Sequence, residues 1–184
     1  MKRLNALATL LLLPLFLSAQ WMEKEVGNNI YVQFPSNPEY KISKGVPGAY
    51  SYMASYTAKT ENCLFMVLIL NDVMPNYPEF MRLSKDRQQL AENKLLDGFM
   101  EGKLSITDNT PNNNKHIKLG VYNGRECSYS AIMPATGERC KRFSKVFLIK
   151  NKSFQFECWF LKNAPDDAAS KEKDIFFNSL KYKR

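Results

Sequence analysis

Three stretches of strand character stand almost end to end in the second half of the chain, at residues 125–133, 139–149 and 153–161. Few folds can hold them. Pro134 to Gly137 supplies a turn after the first, and Asn151 with Lys152 a tight turn after the second. Connections this short cannot carry a parallel crossover, so the three strands form an antiparallel meander. With Asn151 and Lys152 as the loop, residues 150 and 153 pair, and Cys158 faces Lys145 rather than Cys140.

More strands precede the meander. Residues 63–70 are a continuous apolar run of strand length, which predicts a central strand buried on both faces. Residues 49–58 alternate: Tyr50, Tyr52 and Tyr56 share one side, and Ser51, Met53, Ser55 and Thr57 the other. Residues 30–34 read as a short strand stopped at Pro35, with turns at 36–38 and around Gly45, Pro47 and Gly48. A further short strand is expected at 104–107, and a polar loop at 109–114.

Between these strands the period changes. After Pro78, the residues Phe80, Leu83, Leu90, Ala91, Leu95 and Phe99 fall near one helical face, and Gly102 suits a stop. This predicts an amphipathic helix over about 79–101, covering a sheet. A second helix should begin at Pro165, Asp166 and Asp167, with an Asp as its cap and Ala168, Ala169, Ile175, Phe176 and Leu180 on its apolar face. The fold class is therefore α+β, an antiparallel sheet flanked by helices. No internal repeat or linker divides it.

The ends bound location. Lys2 and Arg3 precede an apolar run from Leu4 to Leu17, followed by Ser18, Ala19 and Gln20. That is the pattern of a secretory signal peptide over residues 1–20, leaving one domain over 21–184. A membrane anchor needs roughly 20 apolar residues; this run is shorter and holds Pro14. After cleavage no integral span is expected. The first cysteine is Cys63, far from the cleavage point, which argues against a lipoprotein. The expected location is periplasmic or secreted.

The chain carries a net charge of +8, two units of it in the signal peptide. The basic residues are dispersed (Lys115 with Lys118, Lys141 with Arg142, and Lys181, Lys183 and Arg184), so no nucleic-acid arm is present. A basic surface favours anionic lipid or polysaccharide in an envelope. Cys63, Cys127, Cys140 and Cys158 are disulfide candidates in an oxidising compartment, with three connectivities open. They form no CxxC pair and lack the close spacing of structural zinc ligands. No metal or cofactor is expected.

The order of these elements, with their local wording, resembles the PsbP-like α/β/α sandwich superfamily, and especially its exported bacterial domains of unknown function. The residues that carry the resemblance are "VQFPSNPEY" at 32–40, "LGVYNGRECSYS" at 119–130, the long hairpin at 139–161 and "DIFFNSLKY" at 174–182. It spans about residues 26–182. It implies an antiparallel sheet with helices on its faces and a non-enzymatic role in binding or assembly. It implies no catalytic residues and says nothing of the cysteines.

No catalytic constellation stands out. His116 is the only histidine; it lies beside an Asn-rich loop among lysines and reads as an exposed loop residue. Glu126 and Glu157 could form a carboxylate pair, but Arg139, Lys141, Arg142 and Lys145 on nearby strands favour ion pairing across the sheet. Arg125, beside Gly124, is expected to fix a turn through carbonyls. Tyr50, Tyr52 and Tyr56 are the candidate contact residues for a ligand or partner, since each offers a flat apolar body and a polar tip.

The leading expectation is a non-catalytic envelope binding or assembly module, its partner an envelope protein or an anionic envelope polymer. The alternatives are a small-ligand or lipid carrier using the space between sheet and helix, and an enzyme with dispersed catalytic residues. An exposed aromatic patch would favour the first, an apolar pocket the second, and perturbed carboxylates near His116 the third.

Overall fold

The computed structural model describes residues 21–105, 114–161 and 164–183. The expected signal peptide and most of the expected loop at 109–114 lie outside them. In chain order the described residues form β1 (Met22–Gly27), β2 (Ile30–Phe34), β3 (Glu39–Val46), β4 (Tyr50–Lys59), β5 (Cys63–Asn71), α1 (Tyr77–Phe80), α2 (Lys85–Leu104), β6 (Lys115–Leu119), β7 (Tyr122–Ile132), β8 (Arg139–Ile149), β9 (Lys152–Phe160), α3 (Asp166–Asn178) and β10 (Lys181–Tyr182). The fold is α+β. A seven-stranded sheet runs in the order β3-β4-β5-β9-β8-β7-β6, and a three-stranded sheet in the order β1-β2-β10. Neighbouring strands are antiparallel throughout.

Alternation within β9 divides the large sheet into two unlike faces. Phe154, Phe156, Cys158 and Phe160 point one way, into a core shared with Phe65 and Val67 of β5, Val32 and Phe34 of β2, and Phe176 and Phe177 of α3. Ser153, Gln155, Glu157 and Trp159 occupy the alternate positions and so point the other way. On that second face a smaller core of Leu96, Met100, Tyr129, Val146 and Leu148 lies beneath α2, which sits mainly on β7 and β8.

Close packing fixes the sheet's register at one glycine. A Cβ at Gly124 would stand 2.5 Å from both the Phe147 ring and the Val146 carbonyl, so only glycine fits opposite Phe147. The C-terminus is tied back as well: β10 pairs with β2, and Lys181 and Lys183 both reach Glu23 on β1.

The meander and the central place of β5 are as the sequence predicts, but β5 is not buried on both faces: Leu64, Met66 and Leu68 are only half-buried on the side of α2. Other details differ as well. The β8–β9 loop is Lys150 and Asn151, one residue earlier than expected, so Ile149 pairs with Lys152 and Cys158 faces Phe143 rather than Lys145. Lys150 adopts a φ of 56°, the positive value that tight hairpin turns need at their first loop position. Asn151 is held instead by the segment that follows β5, where its side-chain oxygen accepts from the Met74 amide.

The expected helix over 79–101 is two helices, α1 and α2, separated at 81–84. Its predicted apolar face is also displaced. Leu83 and Leu90 are exposed, and the buried residues of α2 are Leu96 and Met100. The first half of α2 meets the sheet through polar side chains, Glu92 with Asn123 and Asn93 with Arg125, and Leu90 is left facing solvent. Leu104 closes α2 instead of opening a strand.

In α3 the position before the helix is Pro165, with no side-chain cap. Asp166 lies in the first turn and pairs with Lys141 at 2.9 Å. Ile175 is exposed, while Ala169, Phe176 and Phe177 are buried. Finally, β1, β3, β6 and β10 are additional strands. β6 carries His116, which stands opposite Arg125 on β7 rather than in a loop.

Candidate functional site

The outermost hairpin, β3–β4, holds the tyrosines. Register places Tyr40 opposite Tyr56, Ile42 opposite Ala54, Lys44 opposite Tyr52 and Val46 opposite Tyr50. Paired residues share a face, so Tyr52 and Tyr56 lie on one side of the hairpin together with Tyr40 and Ile42; Tyr50, at the strand's end, departs from that side. Tyr56 packs against the large core and touches the Tyr40 ring at 4.8 Å. Tyr50 packs against the smaller core at the strand's end. Tyr52 is exposed, as are Tyr40, Val46 and Ile42, the last at 63 %. α3 makes its main contacts with β2, β5 and β9, so this outer part of the face extends past it. The alternation in β3, "EYKISKGV", was the sequence signal for the additional residues.

The second face of the sheet carries a cleft of about 370 Å³ beside α2. Its walls include Leu68, Phe99, Tyr129 and Trp159, and Gly98 and Gly102 of α2 line it where neither glycine has an atom within 4 Å of a Cβ position. Register builds its floor. Tyr129, Arg142 and Trp159 form one rung across β7, β8 and β9, and Cys127, Ser144 and Glu157 form the next. Glu157 is fully buried and saturated: Lys103 pairs with one carboxylate oxygen, Ser144 donates to the same oxygen at 2.7 Å, and the Trp159 indole donates to the other at 3.3 Å.

Arg142 is 5 % exposed. Its guanidinium stacks on the Trp159 ring at 3.6 Å, donates to the Ile132 carbonyl at 2.6 Å and points Nε at the Cys140 thiol at 3.4 Å. Tyr129's hydroxyl also neighbours it, and burial pushes that phenol well above its ordinary range.

These contacts revise the reading of the glutamates. Glu126 and Glu157 sit on opposite faces, so they form no carboxylate pair. Glu126 does pair across the strands, with Lys145 at 3.7 Å. Glu157 takes its cation from the helix, not from a strand. The period-two pattern of "SFQFECWF" over 153–160 was the legible sign of a polar inner face; the helix partner had no sequence signal.

Arg125 is also not a turn residue. It is 1 % exposed and crosses from β7 to α2, donating to Asp97 at 2.7 Å and to Asn93 at 3.1 Å, with one further bond to the Gly124 carbonyl. That guanidinium holds the Asp97 carboxyl below its ordinary range; Asn114 and His116 add smaller contributions in the same direction. Burial raises Glu92, opposed by a bond from Asn123. His116 lines the adjacent clefts with Arg125 and Asp97. Perturbed carboxylates therefore do lie near His116, but Asp97 is already engaged by Arg125. Among the described residues no group of three or more His, Cys, Asp or Glu side chains could hold a metal.

All four cysteines are buried and free. Cys63 donates to the Ala169 carbonyl of α3 at 3.6 Å, and Cys158, one diagonal away in the register, is its neighbour. Their mutual hydrogen bond and burial raise the Cys158 thiol far above its ordinary range. Cys127 and Cys140 face the cleft side, four rungs apart along the β7–β8 ladder, so the register does not bring them together. Burial pushes Cys127 up to about 11.

Among the described residues, no helix is long and apolar enough to cross a membrane. No known family matches the chain, and no curated protein matches it by sequence. Solved structures are similar to it loosely. One is LpqN of Mycobacterium tuberculosis, involved in cell envelope biogenesis, at 13 % identity over 88 % of this chain and 90 % of that one, with a TM-score of 0.46. Another is a protein from Bacteroides thetaiotaomicron at 14 % identity over 85 % of this chain and 46 % of that one, with a TM-score of 0.38. Likeness at this level says nothing of function.

Proposed function

We propose that this chain is an exported, non-catalytic binding or assembly module of the bacterial envelope, of the PsbP-like kind, and that it meets a protein partner through the outer face of the β3–β4 hairpin. The observation that carries the reading is the run of exposed large side chains on that edge: Tyr40, Ile42, Val46 and Tyr52. Edge strands offer unpaired backbone groups to a partner strand, and alternate side chains supply specificity. Lys41 and Lys44 guard the same edge against indiscriminate pairing. The signal-peptide pattern at 1–20 supports export.

The test is complementation of a strain deleted for the gene. Ile42→Ser with Tyr52→Ser changes only exposed side chains, so circular dichroism should stay that of the wild type while complementation fails. Full complementation by that folded variant would overturn the reading. A second reading, an enzyme acting near His116, is favoured by the placement of His116 beside Asp97. His116→Ala separates the two: the binding module keeps its function, the enzyme loses it.

A further inference from the structure

We propose that the cleft beside α2 is a second, independent binding site, and that its ligand is a small apolar molecule carrying one carboxylate, anchored by Arg142.

The argument begins with charge. Three charged side chains line the cleft: Lys103, Glu157 and Arg142. Lys103 and Glu157 neutralise each other. Arg142 is nine-tenths buried, yet among the described residues no carboxylate pairs with it; its neighbours are a carbonyl, a thiol, a phenol and an indole ring. Buried cations are normally paired, because removing them from water costs several kcal/mol. The cleft is left with one uncompensated positive charge beside a saturated carboxylate. One anionic oxygen pair answers that charge. A dianion such as a phosphate monoester would bring a second negative charge beside Glu157.

Shape gives the rest of the ligand. The volume of about 370 Å³ lies at the small end for ligand pockets. Leu68, Phe99, Tyr129 and Trp159 make its walls apolar and largely aromatic. Gly98 and Gly102, one helical turn apart, leave open the space that ordinary side chains would fill. Both are unfavourable in a helix interior, and both fall on the side of α2 that lines the cleft.

The probes are 2-naphthoate, its neutral isostere 2-naphthamide and the cation 2-naphthylmethylammonium, titrated by calorimetry into the full mature chain. Naphthoate should bind at least tenfold more tightly than naphthamide, and the cation should give no binding. Arg142→Met keeps an apolar stem over Trp159 and should erase the difference between acid and amide. Gly98→Leu places a good helix former in the open space and should abolish both, with an undiminished thermal midpoint excluding misfolding. Equal binding of acid and amide to the wild type would overturn the carboxylate assignment, and unchanged binding to Gly98→Leu would overturn the site. Absence of any naphthoate binding at millimolar concentration would overturn the whole proposal. None of these results touches the hairpin reading, whose variants lie on β3 and β4.

Discussion

The two faces of the seven-stranded sheet are made of the same strands and behave as different materials. In β9, Phe154, Phe156, Cys158 and Phe160 enter a dry core closed by α3 and the small sheet. Their immediate neighbours Ser153, Gln155, Glu157 and Trp159 enter a half-covered face where polar groups satisfy one another. The dry face holds the molecule together by removing apolar area from water. The wet face is held by hydrogen bonds and charges that work only as a complete set, and α2 covers only part of it. A chain built for stability alone would have filled the space at Gly98 and Gly102; leaving it open beside a buried, unmatched arginine is what a site requires.

Breaking the dry face should have the largest effect. Phe156 is fully buried at the centre of the large core, and Phe156→Ala should cost about 3–5 kcal/mol in urea unfolding. Gln155→Ala, one residue away on the other face, should cost far less; equal losses would erase the contrast. Next comes Lys103→Met, which strands the buried Glu157 carboxylate without its cation. Loss of one partner from a buried pair costs about 3 kcal/mol or more, whereas replacing both is often neutral. The double variant Lys103→Met, Glu157→Met should therefore regain most of the loss. If it does not, the wet face depends on packing rather than on charge.

The dry face was largely legible in the sequence and the wet face was not. The apolar run of β5 and the close-set strands β7, β8 and β9 declare themselves locally, through composition and turns. Where neighbours are only two loop residues apart, even the register was nearly readable; the turn was misplaced by one residue, which moves every partner by two and keeps each side chain on its face, because Lys150, and not a turn-type residue, took the positive φ. The wet face depends on tertiary partners. Nothing near Glu157 points to Lys103, 54 residues earlier, and nothing near Arg125 points to Asp97. The α2 face was misread for the same reason: periodicity gives a stripe but not which of its residues meet the sheet and which meet solvent. The tyrosines were visible as an alternating strand, but Ile42 and Tyr40 joined them only through pairing with β3.

A smaller effect tests whether the open space on the wet face is a feature retained at a cost. Alanine at Gly98 or Gly102 meets no atom within 4 Å, so nothing opposes its better helix propensity. Each substitution should stabilise the protein by about 0.5–1 kcal/mol, read as a rise in thermal midpoint. A destabilised Gly98→Ala would mean that the helix approaches the sheet more closely than the cleft implies.

The smallest expected effect comes from the rim of the wet face, where Asp97 balances Arg125. The guanidinium at 2.7 Å lowers the folded-state pKa of Asp97 against an opposing desolvation. A carboxyl lowered on folding adds stability above its unfolded pKa of about 3.9, and that stability disappears as pH falls through the folded value. Asp97 is 43 % exposed, so solvent screening limits the gain to about 1 kcal/mol or less. Asp97→Asn keeps a hydrogen-bond acceptor for Arg125 and removes the charge. The gap in thermal midpoint between wild type and this variant should be constant from pH 7 to 5, shrink below about pH 4 and close at still lower pH, where both side chains are neutral. A gap that stays constant through that window would show that Arg125 is held by the hydrogen bond alone, and that the rim, unlike the Lys103–Glu157 pair beneath α2, owes nothing to charge.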